Sequence, residues 1–260
     1  VVGKSAAAIA NLIGKQVNIS SSNCHNEPAD ALEASKPGSS VHFFEDGLYT
    51  ATEMVGVLES LLDMRKASGR KNKVRPLKNP DLLRDRKVFL RFAVGCDYGI
   101  SLLKRFISEN NLQNIEIYVS ENKIVNVLSE AGQLEIASQN TSLEKLWESG
   151  IPDGMVTPSL YVNCMVWGSQ EKTASAREFC RKVGRQLFFN YLEAQVRKRK
   201  WTMWPEVKID KCAHGMWGLG LALAFSHSVP KSTIPLFWAS GPVSVGNKTI
   251  EWKPLFPNAA

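Results

Sequence analysis

The chain has no arrangement of cysteines that would staple it or bind a metal. Its five cysteines, Cys24, Cys96, Cys164, Cys180 and Cys212, form an odd set with wide, irregular gaps. That excludes a disulfide framework and a zinc-ligand array, and it fits a reducing compartment. Cys212 and His214 are the one close Cys/His pair, and with no second pair at ligand spacing they read as packing residues. No metal and no cofactor is therefore expected. The four histidines, His25, His42, His214 and His227, are scattered and face no serine or cysteine elbow, which excludes a recognisable nucleophile triad. Gly3-Lys4-Ser5 ends like a phosphate-binding loop but lacks the earlier glycine and the preceding strand. A long apolar run is missing too. The longest uncharged stretch, Ala213 to Pro230, has an apolar heart only from Met216 to Phe225, against the roughly 20 residues that a bilayer requires. It reads as a buried core helix, and no membrane span is expected. The chain opens Val1-Val2-Gly3 without an initiator Met and without a signal peptide in the segment given, as expected of a processed product or a fragment.

What is present is ordinary globular material. In 260 residues, 44 % are hydrophobic and 22 % charged, enough to bury a core in one large domain or two lobes. Ser5 to Gln16 is Ala-rich, with Ala8, Ile9, Leu12 and Ile13 at helical spacing, and a Ser/Pro/Gly-rich linker follows from Ser20 to Ser40. Thr50-Ala51-Thr52-Glu53 has capping-box spacing ahead of Met54, Val57, Leu58, Leu61 and Leu62, predicting a helix that Gly69 ends. Tyr98 to Asn110 predicts a second amphipathic helix, and Ile115 to Val119 a short strand. Further capping boxes at Thr141 to Glu144 and Ser175 to Glu178 open a short helix and one reaching about Lys200, with another helix expected from Pro158 to Gly168. After Val229 the chain carries five prolines and a candidate hairpin at Gly246-Asn247. The expected fold is mainly α with minor β: an arm and linker over 1–45, an N-terminal lobe over 46–150, a C-terminal helical lobe over 151–228 and an extended tail over 229–260.

Charge supplies the functional reading. Between Arg65 and Arg91, eleven basic residues, Arg70, Lys71, Lys73 and Arg75 among them, face only Asp81 and Asp85, a net +9. Between Arg177 and Lys211, ten basic residues face four acidic ones, a net +6, so with +7 overall the remainder is −8. Each run alone reads as a solvated face, but two of them on an acidic body are explained more easily by a polyanion. Arg177, Arg181 and Arg185 repeat at i, i+4, i+8 beside the apolar stripe of Cys180, Val183, Leu187 and Tyr191, a row able to bridge phosphates. Lys200 and Trp201, with Trp204 close by, place aromatics beside charge, as in the stacking of unpaired bases, although both Trp can equally be core residues. Glu116 and Glu121-Asn122-Lys123 have the layout of a metal-dependent nuclease site, with no upstream Asp in place.

Gly150-Ile151-Pro152, an apolar helix, Arg177 to Arg181, Phe189-Asn190-Tyr191-Leu192 and a Trp after a basic stretch together resemble the C-terminal half of coat proteins of flexuous filamentous plant RNA viruses, a family similar in fold to some bunyaviral nucleoproteins. The resemblance covers about a fifth of the chain. It implies a non-enzymatic protein that oligomerises on single-stranded RNA in a virion or host cytoplasm, with arms reaching neighbouring subunits. It places Lys211 where the family has an RNA-holding Arg, and the Asp that accompanies that Arg is missing. Two alternatives stay open, a metal-dependent nuclease centred on Glu121 and Lys123, and a matrix-like protein on anionic membrane.

Overall fold

The computed structural model describes residues 23–121, 123–148, 151, 154–157, 168–198, 200–225 and 229–256. The chain divides into two compact units, Val1–Asn126 and Val127–Ala260. The expected helices over 5–16 and 158–167 lie outside the described residues.

The first unit alternates helices and strands: α1 (Pro28–Ala34), β1 (Ser40–Leu48), α2 (Thr52–Leu61), α3 (Met64–Ala67), α4 (Leu82–Asp85), β2 (Lys87–Cys96), α5 (Asp97–Glu109), β3 (Ile115–Val119) and β4 (Ile124–Val125). β2 lies between β1 and β3, all three are parallel, and β4 pairs with the last residues of β2. Parallel neighbours need crossover connections, and α2 and α5 occur in those between β1 and β2 and between β2 and β3. Side chains alternate across the sheet. Val41, Phe43, Val88, Leu90, Phe92 and Ile115 share one face and are buried, as are Leu58 and Leu61 of α2 and Leu102, Leu103 and Phe106 of α5. The opposite face carries His42, Phe44, Phe89, Arg91 and Tyr118, with the His42 and Phe89 rings 4.7 Å apart and the Arg91 guanidinium 5.0 Å from the centre of the Tyr118 ring.

The second unit holds α6 (Glu130–Ser138), α7 (Leu143–Glu148), α8 (Gln170–Arg197), α9 (Glu206–Lys211), α10 (Pro235–Trp238) and a hairpin of β5 (Gly241–Val245) and β6 (Lys248–Trp252). Cys180, Val183, Leu187, Phe188 and Leu192 of α8 cluster with Ile209, Ile234, Trp238 and Val243. The hairpin turns at Gly246-Asn247, where Gly246 takes a φ of +58°, so the stretch after Val229 contributes to this core.

A mainly helical body is thus not what the chain builds; the fold is mixed α/β around a parallel sheet. Two strands escape a reading of period alone. In β2, Val88, Leu90 and Phe92 alternate with the partly or fully exposed Lys87, Phe89 and Arg91, and those cations merge with the basic run before them. In β1, His42 and Phe44 break the simple polar alternation, because an open sheet face can carry rings as well as charges. The core helix expected over 213–230 is also absent among the described residues. Gly215, Trp217 and Gly218 have φ of +92°, +67° and +72°, and left-handed residues cannot propagate an α-helix. Gly215 is confined as well, since a Cβ there would stand 2.6 Å from the carbonyl oxygens of Ser232 and Thr233.

Two capping expectations shift in detail. α8 starts at the Ser169 cap, whose hydroxyl accepts the Lys172 N–H at 3.1 Å, and Ser175 sits inside the helix. α2 has Ala51, not Thr50, at its cap, and no side chain closes it.

Gly99, in the first turn of α5, lets the helix backbone meet the end of β1: a Cβ there would stand 2.6 Å from the Tyr49 carbonyl oxygen and 3.0 Å from that of Leu48. Backbone cannot yield as a flexible side chain does. Gly99→Ala is therefore expected to destabilise the first unit by about 1–3 kcal/mol, the usual cost of overpacking, read by urea unfolding.

Candidate active site

The most distinctive local geometry lies where β1 runs into α2. Glu45 and Asp46 are consecutive half-buried carboxylates in the last third of β1, shortly before Leu48 closes it, and as neighbours in a strand they project to opposite faces of the sheet. The chain then turns through Tyr49, Thr50 and Ala51, and Ala51 holds φ 60° and ψ −12°. For alanine this left-handed conformation costs roughly 1–2 kcal/mol, and such strain concentrates at functional turns. Ala51 is nevertheless buried, and its carbonyl accepts the first α2 bond, from the Val55 N–H at 2.8 Å. The N–H groups of Thr52, Glu53 and Met54 precede that bond, so they have no acceptor within the helix. The Thr50 and Thr52 hydroxyl oxygens meet at 2.8 Å beside them. Glu53, the one acidic residue in the first turn, is paired with the Lys73 ammonium, which leaves the positive end of the helix dipole unopposed by a bare carboxylate. Amide donors, two hydroxyls and a helix N-terminus together make a receptor for an anion of phosphate type.

The neighbouring helix start differs. In α5 the Asp97 carboxylate accepts the Tyr98 N–H at 2.8 Å and so supplies its own acceptor. At the α5 start Cys96 and Tyr98 are buried, and before the α2 start Tyr49 has its hydroxyl oxygen buried. Burial pushes the Cys96 thiol up to about 12 and lifts the phenols of Tyr49 and Tyr98 above their ordinary range; for Tyr49 the negative charge of Asp46 adds to that. Gly47 makes room for the Tyr49 ring: a Cβ at 47 would lie 2.2 Å from its Cζ and hydroxyl oxygen.

Of the cations singled out in the first basic run, Arg70, Lys73 and Arg75 are engaged in ion pairs. The buried Glu59 of α2 accepts the Arg65 guanidinium at 3.0 Å and that of Arg70 at 2.8 Å. Lys73 crosses Gly56 of α2 to reach Glu53. Arg75 pairs with Asp30 at 2.7 Å and Glu33 at 3.0 Å, and the Arg75 hydrogen bond holds the Glu33 carboxyl down at about 2. Lys71 is exposed, and its carbonyl accepts the Arg65 Nε–H at 2.7 Å. These contacts strap residues 65–75 to α1 and α2. Removing the shared acceptor with Glu59→Gln is expected to cost about 1–3 kcal/mol, since a charged hydrogen-bonding partner is lost to two guanidinium groups; thermal unfolding checks it.

The arginine row of α8 also meets carboxylates. Arg181 forks onto Glu178 with two bonds of 2.9 Å, and Arg185 bridges Glu206 and Asp210 of α9. Arg177 and Arg181 together oppose a positive charge on His214, whose pKa burial and these two cations depress to about 4. The Lys211 carbonyl lies against Gly218. Lys200 and Trp201 line a shallow hollow with Thr202 and Trp204, and the two Trp rings stack 5.3 Å apart. Of the nuclease-like set, Glu116 is bound to Lys87 at 2.9 Å and accepts the Tyr118 hydroxyl at 2.7 Å; Glu121 is exposed, and Asn122 lies outside the described residues. Among the described residues no cluster of three His, Cys, Asp or Glu could hold a metal, and no helix is long and apolar enough to cross a membrane.

His214 sets a pH dependence. With a folded pKa of about 4 against an ordinary value of 6.5, it takes up its proton more readily in the unfolded chain, so stability falls as pH drops from 6.5 towards 4. The slope is about 1.4 kcal/mol per pH unit within that window. His214→Gln is expected to flatten this part of the curve, measured by urea unfolding between pH 4.5 and 7.

A family model described as PRTase-CE matches residues 2–258, nearly the whole chain. No curated protein and no solved structure matches. The match points to a phosphoribosyltransferase-type enzyme and overturns the expectation of a non-enzymatic RNA-binding coat or nucleocapsid protein, together with the nuclease and matrix alternatives. In sequence, Thr50 to Glu53 are read only as a helix cap and Glu45 and Asp46 not at all; two adjacent acids late in an apolar strand, with two threonines just beyond, were the available signal.

Proposed function

This chain belongs to the PRTase-CE family, and from that membership we propose that it is an enzyme transferring a 5-phosphoribosyl group docked on the β1–α2 loop. The group has two handles: a phosphate at C5 and a vicinal diol on the ribose. A helix start whose first amides have no acceptor within the helix suits the first. Ionised carboxylates, which are pure acceptors, suit the second. The loop presents both in sequence, Glu45 and Asp46 at the strand end and Thr50 to Thr52 at the helix start.

The chemistry follows from where charge develops. Transfer breaks the bond from C1 of ribose to its leaving group and forms one from C1 to the acceptor, and positive charge gathers on C1 and the ring oxygen as in glycoside chemistry. Fixed carboxylates beside the sugar stabilise that charge, provided they are held in place before the reaction. Glu45 is anchored by its strand, since it pairs in register with Phe92 of β2. The phosphate contacts do not change during the reaction, so their role is to fix C1 against its partner.

The observation that carries this reading is the left-handed start of α2, closed by no side-chain cap and five residues after Asp46, in a chain matched from residue 2 to 258 by a phosphoribosyltransferase-type family. Calorimetric titration tests it. The wild type is expected to bind both ribose 5-phosphate and inorganic phosphate. Thr50→Val with Thr52→Val should weaken both by about tenfold or more, as two hydrogen bonds to a charged group are lost. Asp46→Asn should weaken ribose 5-phosphate alone. A wild-type chain that takes up neither ligand refutes the assignment.

A further inference from the structure

Tyr49 stands out within this loop. Its hydroxyl oxygen is shielded from solvent yet has no hydrogen-bond partner among the described residues. A buried donor left unpaired costs about 1–3 kcal/mol, so the inward position of the ring is held at a penalty. The ring can lie there only because residue 47 is glycine, for a Cβ would sit 2.2 Å from the phenol oxygen. Asp46 and Glu45 both oppose ionisation of this phenol, and its backbone is fixed where Gly99 packs on the Tyr49 carbonyl. A phenol that stays protonated acts as a donor, and it lies next to the carboxylates assigned to the sugar, on the strand side of the threonines assigned to the phosphate.

We propose that Tyr49 is a further ligand-contact residue, whose ring leaves its place over Gly47 when a phosphoribosyl group docks and donates its hydroxyl hydrogen to a sugar oxygen. The inference rests on the proposed function of the loop. The inward ring lacks a hydrogen-bond partner, and the docked sugar provides one. The ligand therefore stabilises the outward position by a bond that the inward one does not make, which is what a ligand must do to shift a conformational equilibrium. Because the contact is with the sugar, it discriminates phosphorylated ribose from a bare phosphate.

The test compares Tyr49→Phe and Gly47→Ala with the wild type, titrating ribose 5-phosphate and inorganic phosphate separately. Tyr49→Phe keeps the ring and removes the unpaired hydroxyl. It should unfold at the same temperature as the wild type or higher, bind inorganic phosphate unchanged, and bind ribose 5-phosphate about five- to tenfold more weakly, the worth of one hydrogen bond. Gly47→Ala expels the ring from its inward place and should move ribose 5-phosphate affinity the opposite way. Unchanged ribose 5-phosphate affinity in Tyr49→Phe overturns the inference, and if the threonine pair still abolishes binding the loop assignment stands without it. Equal weakening for both ligands, or a large fall in melting temperature with ribose 5-phosphate binding intact, also overturns it, by making the hydroxyl structural. Failure of the wild type to bind either ligand removes the loop assignment itself.

Discussion

The close approach of the α5 start to the end of β1 is the constraint on which the candidate site depends. Backbone meets backbone there: any side chain larger than hydrogen at Gly99 would collide with the Leu48 and Tyr49 carbonyls. That contact requires β1 and β2 to be adjacent and parallel, so that both strands end at the same edge and both helices begin there. Just beyond those carbonyls the chain enters α2 through Ala51 in a left-handed conformation. Ala51, whose methyl cannot accept a hydrogen bond, stands at the cap position, and no side chain caps α2.

The distribution of charge follows from the same packing. A run of cations next to an amphipathic helix can face solvent or fold back onto acids of that helix, and here α1 and α2 carry Asp30, Glu33, Glu53 and Glu59 at the right places. Glu59 is buried, and a buried carboxylate without partners would be costly, so the two arginines on it are part of the fold. In the second unit, α8 and α9 exchange similar contacts through Arg185. Arg65, Arg70, Lys73, Arg75 and Arg185 thus serve internal pairing, and the proposed anion site draws instead on uncharged donors at a helix start.

Much of the local structure was legible. The helix from Tyr98, the strand from Ile115 and the turn at Gly246-Asn247 depend on neighbours in sequence, and each formed close to where its pattern places it. The parallel sheet was not, because pairing β1 with β2 joins residues some 47 positions apart in the register Ser40 to Lys87, and no local period encodes that distance. β2 was further obscured by Lys87 and Arg91, whose charge belongs to an open sheet face. Thr50 to Glu53 illustrates the limit at the level of one motif: capping-box spacing forecast a helix correctly, but the cap residue and the role of the threonines depended on a collision partner in another element, Gly99.

From its letters alone this protein had determined the helix from Tyr98, the strand from Ile115 and the turn at Gly246-Asn247, since those follow from contacts a few residues apart. Tertiary structure decided which carboxylates take up the arginines, which strands lie side by side, and that the α5 start packs against the end of β1. The physical reason is that pairing energies and steric exclusion act between residues that meet only after the chain has crossed over, so the same four letters can cap a helix or cradle an anion, depending on which backbone lies across from them.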